Sequence, residues 1–256
     1  MIKAIFFDID GTLVSFKTHK IPESTIDTLK ELKKNGIKLF IATGRGKDGL
    51  DVLEDIDFDG YITLNGQYCY NDQGIIYENN IVKEDLITLL DYLDNNPAPC
   101  GFTLEHTKVF NFRDEKVDYI HSITHNDDHP AGDCSNVINE KIYQCMCFIT
   151  PEEEKILMKR LPKCTSARWH DSFCDISPIG GTKQNGINKF LEYYNIDLAD
   201  TMAFGDGGND IQMLMHVPIS VAMGNAKDEV KAIASYVTDS VDDDGIKKAC
   251  EYFKLI

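Results

Sequence analysis

The chain has 256 residues, of which 43% are apolar and 10% are aromatic, so it can bury a substantial core and lacks the composition of a disordered protein. Its 42 acidic residues outnumber 26 basic ones and give a formal charge of −16, which argues against nucleic acid as a partner. No apolar run approaches the roughly 20 residues of a membrane span, and we expect a cytoplasmic protein that binds no membrane.

The first predicted strand ends in two carboxylates, a glycine and a hydroxyl. An apolar run over residues 5–7 stops at Asp8-Ile9-Asp10-Gly11-Thr12, as a buried strand does when it ends in a turn. Asp8 and Asp10 are two residues apart, so they would project to the same side of an extended backbone. Burying two carboxylates at the end of such a strand costs free energy unless a metal or another cation compensates their negative charge.

The segments that follow predict a βαβ unit and then a hairpin. In chain order we expect a helix from residues 21–24 to 35–36, a strand over 37–42, a helix over 49–56, a strand over 60–64 and a hairpin over 68–77. The strand over 37–42 ends at Thr43-Gly44-Arg45, and the strand over 60–64 runs into Asn65-Gly66. Alternation of strands and helices predicts a parallel sheet.

From about residue 83 to residue 178 the pattern is that of an inserted α+β domain. In chain order we expect a helix over 84–93, strands near 101–104, 109–112 and 141–150, a loop over 125–135, a helix over 151–161 and strands near 167–169 and 173–176. The sequence thus predicts a discontinuous core domain, residues 1–82 and 179–256, and a cap domain, residues 83–178.

Strands and helices alternate again after the insertion. A helix begins at Thr182, and Lys183 lies in its first turn. The N-terminal end of a helix dipole is unfavourable for a cation, so the position of the lysine would be explained by a nearby anion. A strand over 201–204 ends in Gly-Asp-Gly-Gly-Asn-Asp, residues 205–210. Two glycines between acids indicate that backbone approaches a ligand, and the helix start at Asn209 can host an anion.

Three strand ends, at Asp8, Thr43 and Asp206, should lie at one edge of one sheet, where open α/β sheets bind ligands. Mg²⁺ prefers oxygen ligands and takes few carboxylates, so Asp8, Asp206 and the main-chain oxygen of Asp10 would suit it. A carboxylate beside a metal can attack phosphorus and form an aspartyl-phosphate. The predicted substrate contacts are Gly44, Arg45, Asn65 and Asn209.

Together, residues 8–12, Thr43, Lys183 and residues 206–210 resemble the four motifs of the haloacid dehalogenase superfamily of phosphatases, across essentially the whole chain. The resemblance implies Asp8 as nucleophile and Asp10 as general acid and then base. It also implies that Thr43 and Lys183 orient phosphoryl oxygens, that Asp206 binds Mg²⁺, and that Asp210 supports the metal or Lys183.

The position of the insertion resembles that of the Cof-like subgroup, which has a large α+β cap of the C2 type. Only 29 residues separate Leu13 from Thr43, whereas 137 separate Arg45 from Lys183, so a cap fits only in the second interval. The expected fold class is therefore α/β: a Rossmann-like parallel sheet with helices on both faces and an inserted α+β cap.

The resemblance implies a Mg²⁺-dependent phosphatase that acts on small phosphorylated metabolites, with sugar phosphates such as hexose phosphates favoured. We expect a monomer or weak dimer, and we expect the cap to select the leaving group. A phosphomutase of related architecture and a non-catalytic sensor of phosphate esters are the alternatives. A dehalogenase is disfavoured, because a carbon–halogen substrate gives no leaving alkoxide for Asp10 to protonate.

Overall fold

The structure is a computed structural model that describes residues 1–53, 56–124 and 129–256. In chain order its strands are β1 (Ala4–Phe7), β2 (Lys38–Ala42), β3 (Gly60–Thr63), β4 (Tyr68–Asn71), β5 (Gly74–Glu78), β6 (Cys100–Thr103), β7 (Lys108–Phe110), β8 (Gln144–Cys147), β9 (Cys164–His170), β10 (Phe173–Pro178), β11 (Thr201–Gly205), β12 (Ile219–Ala222) and β13 (Tyr236–Val237). Its helices are α1 (Glu23–Lys34), α2 (Lys83–Asn95), α3 (Glu115–Thr124), α4 (Pro151–Met158), α5 (Lys183–Tyr194), α6 (Ile211–His216), α7 (Asp228–Ile233) and α8 (Gly245–Tyr252).

These elements form two compact units. The core unit consists of residues 1–45, 49–78 and 182–256, and the insert unit consists of residues 46–48 and 79–181. Each unit has its own sheet.

The core unit is built around β1, whose residues are completely buried. The sheet order is β13-β12-β11-β1-β2-β3-β4-β5, parallel from β13 to β3, with β4 and β5 added antiparallel at the edge. Alternate residues of β1 point to opposite faces: Ile5 and Phe7 pack with residues of α1 and α8, and Phe6 packs with residues of α5. The predicted α/β sheet with helices on both faces is confirmed.

The insert unit contains a five-stranded antiparallel sheet in the order β7-β6-β8-β10-β9. One face of this sheet packs against residues of α2 and α4. Part of the other face packs against Val117 and Ile120 of α3. The insert unit is therefore an α+β structure.

Two segments differ from the prediction. Helix α3 was not predicted, although Asp114 precedes it and its Oδ1 accepts hydrogen bonds from the backbone N–H groups of Lys116 and Val117, as an N-terminal cap does. The helix predicted over 49–56 is wrong: the chain forms short 3-10 turns at Lys47–Gly49 and Asp51–Leu53. The Gly49 carbonyl accepts from the guanidinium of Arg45, so it does not serve a helical hydrogen bond. Residues 54 and 55, and residues 125–128 of the predicted loop, lie outside the described residues.

The eight cysteines carry free thiols, and seven of them are buried. Within the described ranges, none of the helices combines the length and the apolar character that crossing a bilayer requires.

Candidate active site

Three carboxylates meet at the carboxyl edge of the core sheet. Asp8 follows β1 and Asp206 follows β11, the neighbouring parallel strand. Asp210 lies four residues after Asp206, and each of the three offers an oxygen within 4.8 Å of the others. The register of two adjacent parallel strands thus brings together carboxylates that are about 200 residues apart in the sequence.

Lys183 lies between two of these carboxylates. Its Nζ donates to Oδ1 of Asp8 and to Oδ1 of Asp210, both at 2.6 Å, and the residue is only 1% exposed. Thr182 is the N-terminal cap of α5, the helix that carries Lys183, and its hydroxyl accepts from the backbone N–H of Asn185 at 3.1 Å. The anions expected from the position of Lys183 are therefore present within the protein itself.

Asp210 is completely buried and uses both of its oxygens within the protein. Oδ1 accepts from Lys183, while Oδ2 accepts from the backbone N–H groups of Asp206 at 3.0 Å and Gly207 at 2.9 Å. Asp210 thus fixes the lysine and the loop that carries Asp206 at the same time. This arrangement favours a supporting role for Asp210 over direct metal binding.

Asp206 is positioned by two residues that were not among the predicted site residues. Thr12 donates its hydroxyl to Oδ1 of Asp206 at 2.9 Å. Asn225 donates to Oδ2 of Asp206 at 3.3 Å and to the carbonyl of Gly11 at 2.8 Å. Gly11 has φ +81°, and a Cβ there would lie 2.3 Å from Oδ2 of Asp206, so only glycine fits. Asn225 lies just after β12, the strand that pairs with β11. A search for polar residues after this strand as well would therefore have identified Asn225.

The cluster contains three carboxylates and one lysine, and this excess of negative charge determines its electrostatics. Burial raises the pKa of Asp8 to about 8; the charge of Asp210 adds to the rise, and Lys183 opposes it. Burial also raises the pKa of Asp206 to about 6. For Lys183 burial lowers the pKa, but the charges of Asp210 and Asp8 outweigh burial, so the pKa lies above its ordinary value. When all three carboxylates are ionised, their negative charge exceeds the charge of Lys183 by two units.

The donor set of the cluster fits a divalent cation such as Mg²⁺. Its ligand atoms are carboxylate oxygens, which hard cations prefer, and their negative charge exceeds what Lys183 neutralises. Among the described residues this is the one group of three or more possible metal ligands that comes close enough together.

Asp10 faces Arg45, outside the three-carboxylate cluster. The guanidinium donates through Nε to Oδ2 of Asp10 at 2.9 Å and through Nη2 to Oδ1 at 2.7 Å, and Nη1 donates to the carbonyl of Gly49 at 2.7 Å. A two-pronged ion pair of this kind fixes the plane of the carboxylate. Arg45, expected from the sequence to contact substrate, is thus a partner of the expected general acid and base.

The other predicted site residues form a polar rim around neighbouring strand ends. The Thr43 hydroxyl accepts from the backbone N–H of Arg45 at 3.1 Å. Asn65 has a left-handed backbone with φ 53°, its amide lies against Gly44, and its Oδ1 accepts from Nδ2 of Asn209 at 3.1 Å. A non-glycine residue in this conformation stores strain, which is common at functional sites.

We expect the Arg45→Met enzyme to lose about ten- to a hundredfold in kcat with little change in KM, because Asp10 loses the partner that fixes its orientation. Arg45→Lys should recover little activity, since a lysine cannot form the two-pronged contact. Steady-state kinetics on one phosphate ester measures both values. A loss confined to KM would instead identify Arg45 as a substrate contact.

Comparison with known proteins gives consistent matches over the full length of the chain. The family model described as haloacid dehalogenase-like hydrolase matches residues 5–250. A Bacillus subtilis protein provisionally assigned as a phosphatase, YkrA, is 38% identical over 257 residues, which cover 99% of this chain and 98% of that protein. The solved structure of BT4131, described as a sugar phosphatase of haloacid dehalogenase subclass IIB, is 43% identical, with a TM-score of 0.85 over 99% of this chain and 100% of that one. The phosphatase BT1666 of Bacteroides thetaiotaomicron is 35% identical, with a TM-score of 0.91 over 100% of this chain and 96% of that one.

Proposed function

Since the chain belongs to the haloacid dehalogenase-like hydrolases and is a phosphatase of that superfamily, we propose that it hydrolyses sugar phosphates, hexose phosphates included, in two steps through an aspartyl-phosphate on Asp8. The observation that carries this proposal is the contact of Lys183 with Asp8 and Asp210 beside Asp206 at the strand ends. The likeness to a sugar phosphatase supports the substrate class.

The first step is attack by Asp8 on phosphorus. Because Oδ1 of Asp8 accepts from Lys183, the other oxygen, Oδ2, is the nucleophile. As the bond from Oδ2 to phosphorus forms, the bond from phosphorus to the ester oxygen breaks, and Asp10 gives a proton to the departing alcohol. Thr43 and Lys183 orient the phosphoryl oxygens.

The second step is hydrolysis of the aspartyl-phosphate. Asp10, now a carboxylate held by Arg45, takes a proton from water, and the resulting hydroxide attacks phosphorus and releases Asp8 and inorganic phosphate. Asp8, Asp206 and the main-chain oxygen of Asp10 would hold Mg²⁺, with Asp210 behind them. The ion, when bound, supplies charge neutralisation for the phosphoryl oxygens.

Release of inorganic phosphate from a panel of sugar phosphates and other small phosphate esters tests the proposed function. The panel is assayed without any bisphosphate, which separates a phosphatase from a phosphomutase, because the mutase depends on a bisphosphate intermediate. If none of the esters releases phosphate in the presence of Mg²⁺, the proposal is contradicted.

We expect activity to vanish in excess chelator and to return with Mg²⁺, and the concentration of Mg²⁺ needed for half of the maximal rate to rise as the pH falls from 8 to 6. Protons compete with the ion for Asp8 and Asp206, whose pKa values are about 8 and about 6. Asp206→Ala should raise the Mg²⁺ requirement further. A Mg²⁺ requirement that does not change with pH would contradict this account.

The raised pKa of Asp8 also leads to a prediction about stability, which is measured without an activity assay. Asp8 has a higher pKa in the fold than in the unfolded chain, so without a metal the contribution of this residue to stability is lost as the pH rises from about 4 to about 8. Mg²⁺ should therefore raise Tm more at pH 8 than at pH 6, and this difference should shrink in Asp8→Asn. Thermal unfolding with and without Mg²⁺ measures both effects.

A further inference from the structure

The loop that follows the first two aspartates presents an exposed aromatic side chain beside the candidate active site. Phe16 is 62% exposed and belongs to neither of the hydrophobic clusters that the described residues of the core unit form. Single exposed apolar side chains are ordinary on protein surfaces. Phe16 differs from the others in its position, because its neighbours are residues of the active site.

The edge of the Phe16 ring lies against Gly11 and beside Asp206. The position that a Cβ of Gly11 would occupy is 2.5 Å from Cε2 of Phe16 and 2.3 Å from Oδ2 of Asp206. The ring edge and the carboxylate therefore flank the same side of Gly11. All three residues belong to the core unit. The aromatic ring is thus next to the carboxylate cluster, and most of the ring faces solvent.

The loop that carries Phe16 is held in place on both sides of this residue. The Ser15 hydroxyl accepts from the backbone N–H groups of Lys17 at 3.0 Å and Thr18 at 3.3 Å, so the chain turns tightly around Phe16. Ser15 also donates to Oδ1 of Asp242 at 2.6 Å, and Nζ of Lys17 lies 2.8 Å from Oδ2 of the same carboxylate. Both chain neighbours of Phe16 are therefore anchored to one residue of the core unit. A ring on a backbone that is already ordered loses little conformational freedom when it binds a ligand.

The chemistry of the phenyl ring limits what Phe16 can contact in a substrate. The phosphoryl group is charged, and it is matched by Lys183 and by the ion that the carboxylates would hold. A phenyl ring has neither a charge nor a hydrogen-bonding group, so it does not recognise a phosphate. The rest of a phosphate ester is the carbon skeleton of its alcohol. The C–H groups of a sugar give this skeleton an apolar surface that an aromatic ring removes from water.

We propose that Phe16 is a specificity-determining residue of the core unit, and that its ring packs against the C–H groups of the alcohol part of the substrate. The proposal rests on the proposed function, because it takes a sugar phosphate to be the substrate. It goes beyond that function by naming a side chain outside the four motifs that distinguishes one phosphate ester from another.

The test removes the ring and compares esters with large and small leaving groups. In Phe16→Ala we expect KM for glucose 6-phosphate or ribose 5-phosphate to rise about tenfold with little change in kcat, because an apolar contact stabilises the bound substrate and the transition state alike. For acetyl phosphate, whose leaving group is small, kcat/KM should change by about twofold or less. Phe16→Tyr keeps the ring and should restore the parent values.

Tyr193→Ala is the matched control, because it removes another exposed aromatic side chain of the core unit, at the end of α5 opposite to Lys183. It should change kcat/KM for neither kind of ester. Phe16→Ala should keep the Tm of the parent, since the Phe16 side chain is exposed. A lower Tm together with an equal loss of activity toward every ester would identify a structural role for Phe16 and would overturn the proposal.

The ratio of kcat/KM for a sugar phosphate to kcat/KM for acetyl phosphate decides the proposal. If Phe16→Ala has the same ratio as the parent, Phe16 does not select the alcohol, and the proposal is overturned while the proposed function stands. A parent that hydrolyses acetyl phosphate but neither sugar phosphate would also overturn the proposal, although the phosphatase chemistry would stand. A parent that hydrolyses none of the three esters would contradict the proposed function together with this inference.

Discussion

The Asp8→Asn enzyme is expected to lose about four orders of magnitude or more in turnover while it keeps its fold. Asparagine has nearly the shape of aspartate, and its Oδ1 can still accept the hydrogen bond from Lys183 that Asp8 accepts at 2.6 Å. Its amide nitrogen takes the place of the attacking oxygen and is not a nucleophile. Phosphate release from one good substrate measures the loss, and Tm in the absence of metal measures the fold.

The matched control for this variant is Asp27→Asn, the same change at an exposed position of α1. It should leave turnover at the parent level. Asp8→Asn should be no less stable than the parent at pH 8 without metal, because it removes a carboxylate whose ionisation in the fold is unfavourable. Turnover of Asp8→Asn within tenfold of the parent would exclude a covalent step on Asp8.

The Lys183→Met enzyme is expected to lose both activity and about 3–5 kcal/mol of the free energy of unfolding at pH 8, measured without divalent ions. Methionine fills a similar volume but removes the charge that two buried carboxylates contact. Without the lysine, which opposes the rise, the pKa of Asp8 must rise further, so the variant should be closest to the parent near pH 5 and furthest from it at pH 8. Urea unfolding at the two pH values measures the difference.

Lys189→Met, on the same helix but partly exposed, is the matched control and should cost about 1 kcal/mol or less. Adding Asp210→Asn to Lys183→Met should recover part of the lost stability, since it removes one of the carboxylates left without a partner. If Lys183→Met and Lys189→Met have equal stabilities at both pH values, the lysine does not hold the carboxylates together.

The sequence predicted the fold and the gathering of the acidic residues because both depend on simple periodicities. The apolar run before Asp8 predicted a buried strand, and the rule that ligands bind at the carboxyl ends of parallel strands put Asp206 near it. Asp210 was predicted to support the metal or Lys183, and the structure shows its contact with the lysine.

The remaining contacts could not be predicted, because they depend on side-chain direction. Nothing in the sequence distinguishes an Arg45 that faces a substrate from one that pairs with Asp10. Thr12 was visible as part of the first motif, but its partner, Asp206, is 194 residues away.

The discontinuous core unit has a consequence for how the protein is made. The strand β1 pairs with β11, and Asp8 can meet Lys183, which lies 175 positions further along the chain, only after that length of chain has been synthesised. A growing chain emerges at roughly 5–20 residues per second, so β1 leaves the ribosome many seconds before its partner exists. Until then its apolar edge has only β2 to pair with, and loops of this length close slowly. The carboxylate cluster is therefore among the later parts of the core unit to assemble, because it needs residues from both of its separated segments.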